Sequence, residues 1–498
     1  MDQFNLSPEV VNEQTLAGAV EFLGQAGVEL PTLSQLADPT LLPSQRLAAL
    51  ANVDPDAPDP ANLWRVHWFN DAAGGGLVDV PAHLVLPETL TGVKAKIVVA
   101  LGNRFPMIGA HKVLAAYGCL VPRLVTGRFD PRRHKAVWPS TGNYCRGGIA
   151  LSRVLGCHGI AVLPQGMSRE RFEWLERWVA DATDIMRTPG TESNVKEIYD
   201  RCAVLATEPD KVILNQFSDF GNYIVHYHCT GPATERVFAD LKTLAPTLRL
   251  AALVSATGSA GTIAAGDYVK QRHGTRIVAV EASECPTLLK NGYGEHNIQG
   301  IGDKHVPLIH NVMNTDVVVG VSDRSSDALN QLFNSTAGKR YLTERRRLDP
   351  QFLDALAAVG ISGWANVIAS IKVAKHFDLG VDDAIVTFAT DGAQMYDSER
   401  AAYVKREFAQ GFDEVDAAEI YARHLGGIGD DNLLDLTYAQ RKRIFNLGYF
   451  TWVEQQGVGL DDFERRRDPA FWLGLQESVP AWDALIEAFN EKTRAIQK

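Results

Sequence analysis

Four short segments of the chain carry residues that could do chemistry together. Lys112 follows a turn at Gly109 and begins a helix-like stretch, and three loops come later at 140–143, 258–262 and 389–392. A lysine amine can hold an aldehyde as a Schiff base. A loop of small residues at the start of a helix can bind a phosphate through its backbone N–H groups. The segments therefore fit the needs of a phosphorylated aldehyde cofactor.

The loop at 258–262 follows an apolar run at 253–255 and precedes a helical pattern, so it predicts a strand, a tight turn and a helix. Its five residues are Gly258, Ser259, Ala260, Gly261 and Thr262. Taken alone, the loop would more often be an ordinary strand-to-helix turn than a phosphate site. Lys112 alone could be a surface lysine, because most lysines are exposed.

Taken in order, the segments resemble the cysteine synthase and cystathionine β-synthase family, which are fold-type II pyridoxal phosphate (PLP) enzymes. The loop at 140–143 is similar to the family's Thr-Ser-Gly-Asn, and the spacing from Asn143 to Pro164 matches the family without gaps. The loop at 258–262 is similar to the family's Gly-Thr-Gly-Gly-Thr. The ending Gly-Ala-His-Lys at 109–112 resembles the tryptophan synthase β chain more than cysteine synthase.

The resemblance implies a role for each segment. Lys112 would form the Schiff base and move the α proton, residues 258–262 would bind the cofactor phosphate, and Asn143 would bind its 3′-oxygen. Thr390 would lie beside the pyridine nitrogen; Asp391 is the alternative there, or an exposed turn residue. The implied substrate-binding residues are Ser140, Thr141, Gly142, Asn143, Tyr144 and Gln216.

The implied reaction is β-elimination or β-replacement on an L-amino acid with a β leaving group, through an aminoacrylate intermediate. Two alternatives remain open. One is a deaminating lyase of the threonine or serine dehydratase type, and the other is a non-catalytic subunit with the same fold. Three residues depart from the family pattern where the substrate is recognised, namely Tyr144, Cys145 and Arg146. Arg146 could attract an anionic group or point to solvent, and Tyr144 could place its hydroxyl farther out.

The composition of the chain bears on its partners, on metal binding and on its location. The net charge of −11 argues against a nucleic-acid partner, since nucleic-acid binders usually carry a basic face. The six cysteines show no metal-type spacing and no CxxC pair, which indicates no metal site and suits a reducing compartment. No apolar run reaches the length of a membrane span, and residues 1–6 lack a leader pattern. We therefore expect a cytoplasmic enzyme without a membrane partner, and the resemblance implies a homodimer.

Apolar runs alternate with helix-like stretches from about 95 to 395, which is typical of α/β structure with a largely parallel sheet. The resemblance implies two three-layer α/β domains with the cofactor in the cleft between them. We expect a large domain from 61–112 and 236–400, and a small domain from 113–235. Helical extensions are expected at 1–60 and 401–498.

Overall fold

The computed structural model describes Phe4 and residues 7–497, so most of the segment at 1–6 that bears on a leader lies outside the described residues. The described chain forms two separate sheets. The strands are β1 His83–Leu86, β2 Lys96–Leu101, β3 Lys135–Pro139, β4 His158–Pro164, β5 Ile185–Thr188, β6 Lys211–Ile213, β7 Arg249–Ala256, β8 Arg276–Ala282, β9 Val317–Val321, β10 Asp383–Ala389 and β11 Leu433–Asp435.

The α-helices cover both faces of these sheets or form the two ends of the chain. They are α1 Glu13–Gln25, α2 Leu33–Ala37, α3 Ser44–Leu50, α4 Glu88–Thr91, α5 Lys112–Val125, α6 Asn143–Val154, α7 Arg169–Trp178, α8 Val195–Leu205, α9 Phe220–Val225, α10 Gly231–Leu244, α11 Ile263–His273, α12 Thr287–Lys290, α13 Asp323–Asn334, α14 Thr336–Glu344, α15 Pro350–Ala355, α16 Ile361–His376, α17 Asp397–Glu407, α18 Glu414–Tyr421, α19 Tyr438–Tyr449, α20 Leu460–Glu464, α21 Pro469–Glu477 and α22 Val479–Ile496.

The larger sheet has the order β1-β2-β10-β7-β8-β9-β11, and its strands from β2 to β9 run parallel. The smaller sheet has the order β5-β4-β3-β6 and is parallel throughout. Parallel strands buried on both faces are apolar along their whole length, and Val98, Val254 and Val278 are fully buried in this way. The predicted α/β class with two sheets is confirmed.

The strands of the smaller sheet fall within 113–235, and those of the larger sheet fall before 112 or after 236. One strand departs from the expected pattern. β11 lies in the C-terminal region expected to be helical, where it pairs antiparallel with β9 at the sheet edge. A three-residue strand has too short an apolar alternation to be recognised from sequence. The proposed domain boundaries stay predictions.

The two ends of the chain pack against each other. α1 contacts α22, and both contact α5, which begins at Lys112. The Asn490 amide of α22 accepts from the backbone N–H of Leu30 at 2.9 Å and donates to the Leu30 carbonyl at 2.8 Å. The first and last helices, α1 and α22, therefore form one layer behind the helix that carries Lys112.

Within the described residues, no single helix is both long and apolar enough to cross a membrane. One sharply bent pair, Pro350–Ala358 with Ile361–His376, meets the length and composition requirements jointly. The second helix of this pair packs on β10, β7 and β2 and is buried over almost its whole length.

Candidate functional site

The four chemistry-bearing segments all lie at the carboxyl ends of parallel strands. Lys112 comes after β2, the loop at 140–143 after β3, the loop at 258–262 after β7, and Thr390 directly after β10. This edge is where ligands bind in open α/β sheets. The fold thus brings the predicted residues to the facing edges of the two sheets.

The Lys112 side chain contacts one loop that follows a strand of the larger sheet and one that follows a strand of the smaller sheet. Its Nζ donates to the Ser259 hydroxyl at 3.1 Å and to Gln216 Oε1 at 3.2 Å. Burial lowers the pKa of Lys112 to about 8, against the opposing attraction of Asp303 and Glu192. A lysine with this pKa has far more neutral amine near neutral pH than an ordinary lysine, and the neutral amine is the form that attacks an aldehyde or accepts a proton.

The loop at 258–262 has the geometry of an anion cradle. Its backbone N–H groups donate to no acceptor within the described chain, and they lie at the start of α11. A Cβ on Gly261 would come within 2.5 Å of Asn222 Oδ1, so only glycine fits there. Ala260 has φ of 64°, a left-handed conformation in which the family has glycine. Free N–H groups at a helix start fit a cofactor phosphate.

Both the oxygen and the nitrogen of the Asn143 side-chain amide form hydrogen bonds. Arg146 Nη1 donates to Asn143 Oδ1 at 2.9 Å, and Asn143 Nδ2 donates to Asp391 Oδ2 at 2.7 Å. Arg146 is buried, so its alternative as a solvent-exposed residue is wrong. The contact with Arg146 orients the amide with its N–H₂ toward the strand ends. In that orientation Asn143 can donate to a ligand oxygen.

Asp391 is fully buried, so the alternative that it is an exposed turn residue is wrong. The Tyr396 hydroxyl donates to its carboxylate at 2.8 Å, and Arg171 Nη2 lies 3.5 Å from Asp391 Oδ2. The neighbouring Thr390 is half-buried, and its side chain forms no hydrogen bond with these groups among the described residues. Burial of Asp391 follows from its charged partner Arg171, which is distant in sequence and invisible to turn statistics.

The substrate loop is only partly assembled as expected. Gln216 Nε2 donates to the Ser140 hydroxyl at 3.2 Å, and a Cβ on Gly142 would meet Arg171 Nε at 2.5 Å. The Tyr144 side chain points away, because its buried hydroxyl donates to the Leu214 carbonyl at 2.9 Å. Of Tyr144, which the resemblance implies as a substrate-binding residue, only the backbone therefore remains at the loop. The Cys145 thiol is buried against the Trp138 carbonyl.

The His111 ring packs against two other aromatic side chains. Its ring stacks on Trp68 with centroids 5.6 Å apart and meets the His226 ring edge-on at 5.4 Å. Burial drives the pKa of His111 well below its usual range, so the ring is neutral. His226 begins a π-helical segment, a feature frequent at functional sites.

Sequence reasoning missed a group of buried charged residues around this site. The Thr141 hydroxyl donates to Glu192 Oε1, and Asp303 and Glu192 both act electrostatically on Lys112. Arg171 belongs to the same group. Glu192 and Asp303 lie in two loops and Arg171 lies in α7, all far apart in sequence, so no local pattern could have joined them. The one available signal was local: residues 167–171 read Met-Ser-Arg-Glu-Arg, similar to a Met-Ser-x-Glu-Arg stretch of the cysteine synthase family, and end on Arg171.

A cavity of about 550 Å³ is lined by Arg146. It is also lined by Asn103, Ile108 and Trp174, and the Arg146 guanidinium lies over the Trp174 ring at 5.0 Å. Lys112 does not line it.

Comparison with known proteins agrees with this geometry. The family model described as pyridoxal-phosphate dependent enzyme matches residues 88–331. Cysteine synthase B of Campylobacter jejuni is 31% identical over 254 residues, covering 50% of this chain and 74% of that protein. Cystathionine beta-synthase of Saccharomyces cerevisiae is 26% identical over 323 residues, covering 62% of this chain and 58% of that protein.

Solved structures show the same fold. The O-acetylserine dependent cystathionine beta-synthase from Helicobacter pylori has a TM-score of 0.52 at 20% identity, covering 64% of this chain and 94% of that one. A hydrogen sulfide-producing enzyme from Fusobacterium nucleatum has a TM-score of 0.52 at 21% identity, covering 63% of this chain and 96% of that one.

The fold and the anion cradle define the class as a fold-type II PLP enzyme. The chain belongs to the pyridoxal-phosphate dependent enzyme family that includes the cysteine synthases and cystathionine β-synthases. The matched segment contains Lys112, Asn143 and the loop at 258–262, whereas Thr390 and both terminal extensions lie outside it.

Proposed function

We propose that this protein binds PLP through Lys112 and catalyses elimination or replacement at the β carbon of an L-amino acid. One observation carries the proposal. Lys112 Nζ lies within hydrogen-bonding distance of Ser259 in the anion cradle and of Gln216 beside the substrate loop. A single amine is thereby placed between a phosphate site and an amino-acid site, as this chemistry requires.

Each side chain then has a defined task. PLP, when bound, serves as the electron sink for negative charge at the α carbon. The neutral amine of Lys112 accepts the α proton, and its lowered pKa of about 8 makes that form available. Asn143, oriented by Arg146, donates to the cofactor's ring oxygen. Ser140, Thr141, Gly142 and Gln216 bind the substrate carboxylate through hydroxyl, amide and backbone donors.

Thr390 is proposed to lie beside the pyridine nitrogen. Asp391 is committed to Arg171, Tyr396 and Asn143, so its carboxylate is already paired. A hydroxyl leaves the ring a moderate electron sink, which favours chemistry at the β carbon over transamination.

Product analysis tests the reaction. The PLP-loaded protein is incubated with O-acetylserine, O-phosphoserine, cysteine and threonine, each with and without a thiol. A thiol-dependent β-substituted amino acid is the expected product. Release of an oxo acid and ammonia alone, unchanged by thiol, would establish the dehydratase type instead. Protein that acquires no cofactor absorbance would establish the non-catalytic alternative.

We also propose a homodimer in the cytoplasm. The dimer is supported only by resemblance to the family. The location is supported by six cysteines that are all buried free thiols, as suits a reducing compartment. Light scattering of the purified protein tests the dimer, which a single-chain mass of 54.5 kDa would contradict. Fractionation of the source cells tests the location.

A further inference from the structure

Trp68 lies in a segment of the chain that has no place in the function described above. The segment, residues 60–70, precedes the part of the chain that the family model matches. The Trp68 side chain is 2% exposed. Asn70, also buried, donates from its side-chain amide to the carbonyls of Arg65 and His67 at 2.8 and 2.9 Å. These hydrogen bonds hold the backbone around Trp68 in one conformation, so the indole has a fixed position.

The indole ring of Trp68 contacts the segment that leads into Lys112. It stacks on the His111 ring, with the centroids 5.6 Å apart and the ring planes 25° apart. Phe105, in the loop before the lysine, meets the indole edge-on at 5.1 Å. Because His111 directly precedes Lys112 and protein interiors are close-packed, a shift of the indole would move the start of α5.

A hydrogen-bonded chain leads from the same indole to the phosphate loop. Trp68 Nε1 donates to Thr230 Oγ1 at 2.9 Å, and the Thr230 hydroxyl forms a hydrogen bond of 2.8 Å with His226 Nδ1. His226 packs against the loop itself, because a Cβ on Gly261 would come within 2.8 Å of His226 Cδ2. The indole N–H is thus two hydrogen bonds away from the side chain that touches the loop.

A third contact of the indole leads toward Thr390. The Phe388 ring lies 5.7 Å from the Trp68 ring between centroids. Phe388 belongs to β10, which ends at Ala389, directly before Thr390. The indole therefore contacts an element next to each of the three segments assigned to the cofactor. A binding site is precise only when the side chains behind it are themselves locked by packing and hydrogen bonds.

We infer that Trp68 is a positioning residue of the PLP site, which keeps Lys112, the loop at 258–262 and Thr390 in their places relative to one another. The inference rests on the proposed function and adds to it a residue from outside the matched family segment. Trp68 acts through its neighbours. It supplies a large flat face for stacking and an N–H donor, a combination that only tryptophan offers at this size.

Cofactor affinity and cofactor circular dichroism test the inference. PLP is achiral, so its visible circular dichroism in the bound state reports how the surrounding protein orients it. Trp68→Leu should bind PLP at least about tenfold more weakly and show a smaller cofactor band, because a precise site tolerates only about 0.5 Å of displacement. Trp68→Phe keeps a ring against His111 and should lie closer to the wild-type protein in both measurements.

Trp364→Leu is the matched control. Trp364 is fully buried in α16 and stacks on Phe333 of α13, with the centroids 4.1 Å apart. The change removes the same atoms from a packed core as Trp68→Leu does, so it should also lower the urea midpoint. The PLP affinity and the cofactor circular dichroism of Trp364→Leu should stay at their wild-type values. If a leucine variant does not fold, Trp68→Phe and Trp364→Phe give the same comparison.

The outcomes separate the two claims. Wild-type PLP affinity and circular dichroism in Trp68→Leu would overturn the inference. Equal changes in the Trp68 and Trp364 variants would also overturn it, because the effect would then follow from a weakened core. Failure of the proposed function looks different, since the wild-type protein itself would then bind no PLP or carry it on a lysine other than Lys112.

Discussion

At the scale of single residues, the site depends on how burial changes the chemistry of charged groups. Lys112 could be recognised from its motif, but its lowered pKa comes from burial, against the opposing attraction of Asp303 and Glu192. Sequence shows which residue is a lysine, whereas three-dimensional packing determines how much of it is neutral. The same holds for Asp391: of its two alternatives, a partner of the pyridine nitrogen or an exposed turn residue, burial against Arg171 rules out the second.

The lysine pKa predicts how fast the apoprotein captures its cofactor. Only the neutral amine attacks PLP, so the rate should rise with pH through a midpoint of about 8 and level off above it. The measurement is the growth of cofactor absorbance after mixing apoprotein with PLP at a series of pH values. A midpoint near the ordinary lysine value of about 10.4 would contradict this result.

Ala260 gives a second prediction at this scale, because an L-residue at φ of 64° is strained by about 1–2 kcal/mol. Ala260→Gly should relieve the strain and lose about 0.5–1 kcal/mol to chain entropy, leaving stability unchanged or slightly higher. The control Ala265→Gly, in the interior of α11, should lose about 1 kcal/mol. Urea denaturation compares the two, and an equal loss in both would refute the strain at 260.

At the scale of elements, the loops could be located from the sequence, because strand, small-residue turn and helix follow one another locally. The contacts between elements could not. Arg146 looked like a departure in the substrate loop, yet it lies one helical turn after Asn143 in α6 and orients its amide. The Tyr144 side chain, next to Asn143, turns into the core, since adjacent helix positions face different directions.

The contact between Arg146 and Asn143 in α6 predicts that Arg146 positions Asn143, the residue proposed to bind the cofactor. Arg146→Ala removes the donor to Asn143 Oδ1, and PLP should bind about tenfold more weakly, the usual effect of one lost charged hydrogen bond. Arg153→Ala, exposed at the end of the same helix, is the control and should bind PLP normally. Equilibrium titration with PLP measures both. Equal affinities in the two variants would show that Asn143 needs no support from Arg146.

At the scale of the whole molecule, the terminal extensions form part of the scaffold behind the site. Their helical character could be predicted, but their mutual packing could not, because α1 and α22 lie at opposite ends of the sequence. Asn490 joins them by bonding both backbone groups of Leu30. Since α1 and α22 both contact α5, the extensions support the helix that begins with Lys112.

This packing predicts a loss of stability when the link is removed. Asn490→Ala leaves the Leu30 N–H and carbonyl without partners in a buried layer, which should cost about 1–3 kcal/mol per unsatisfied group. The urea midpoint, followed by cofactor absorbance in the loaded protein, should fall. Glu491→Ala, exposed on the next residue, should leave the midpoint unchanged. A normal midpoint for Asn490→Ala would mean that the extensions do not support the site.

The assignment of Lys112 is tested most directly by chemical trapping. The PLP-loaded protein is reduced with borohydride, digested, and its peptides are mapped by mass spectrometry. The cofactor should be found covalently attached to Lys112, and the Lys112→Ala protein should carry no label. Attachment to any other lysine, with Lys112 unmodified, would contradict the account.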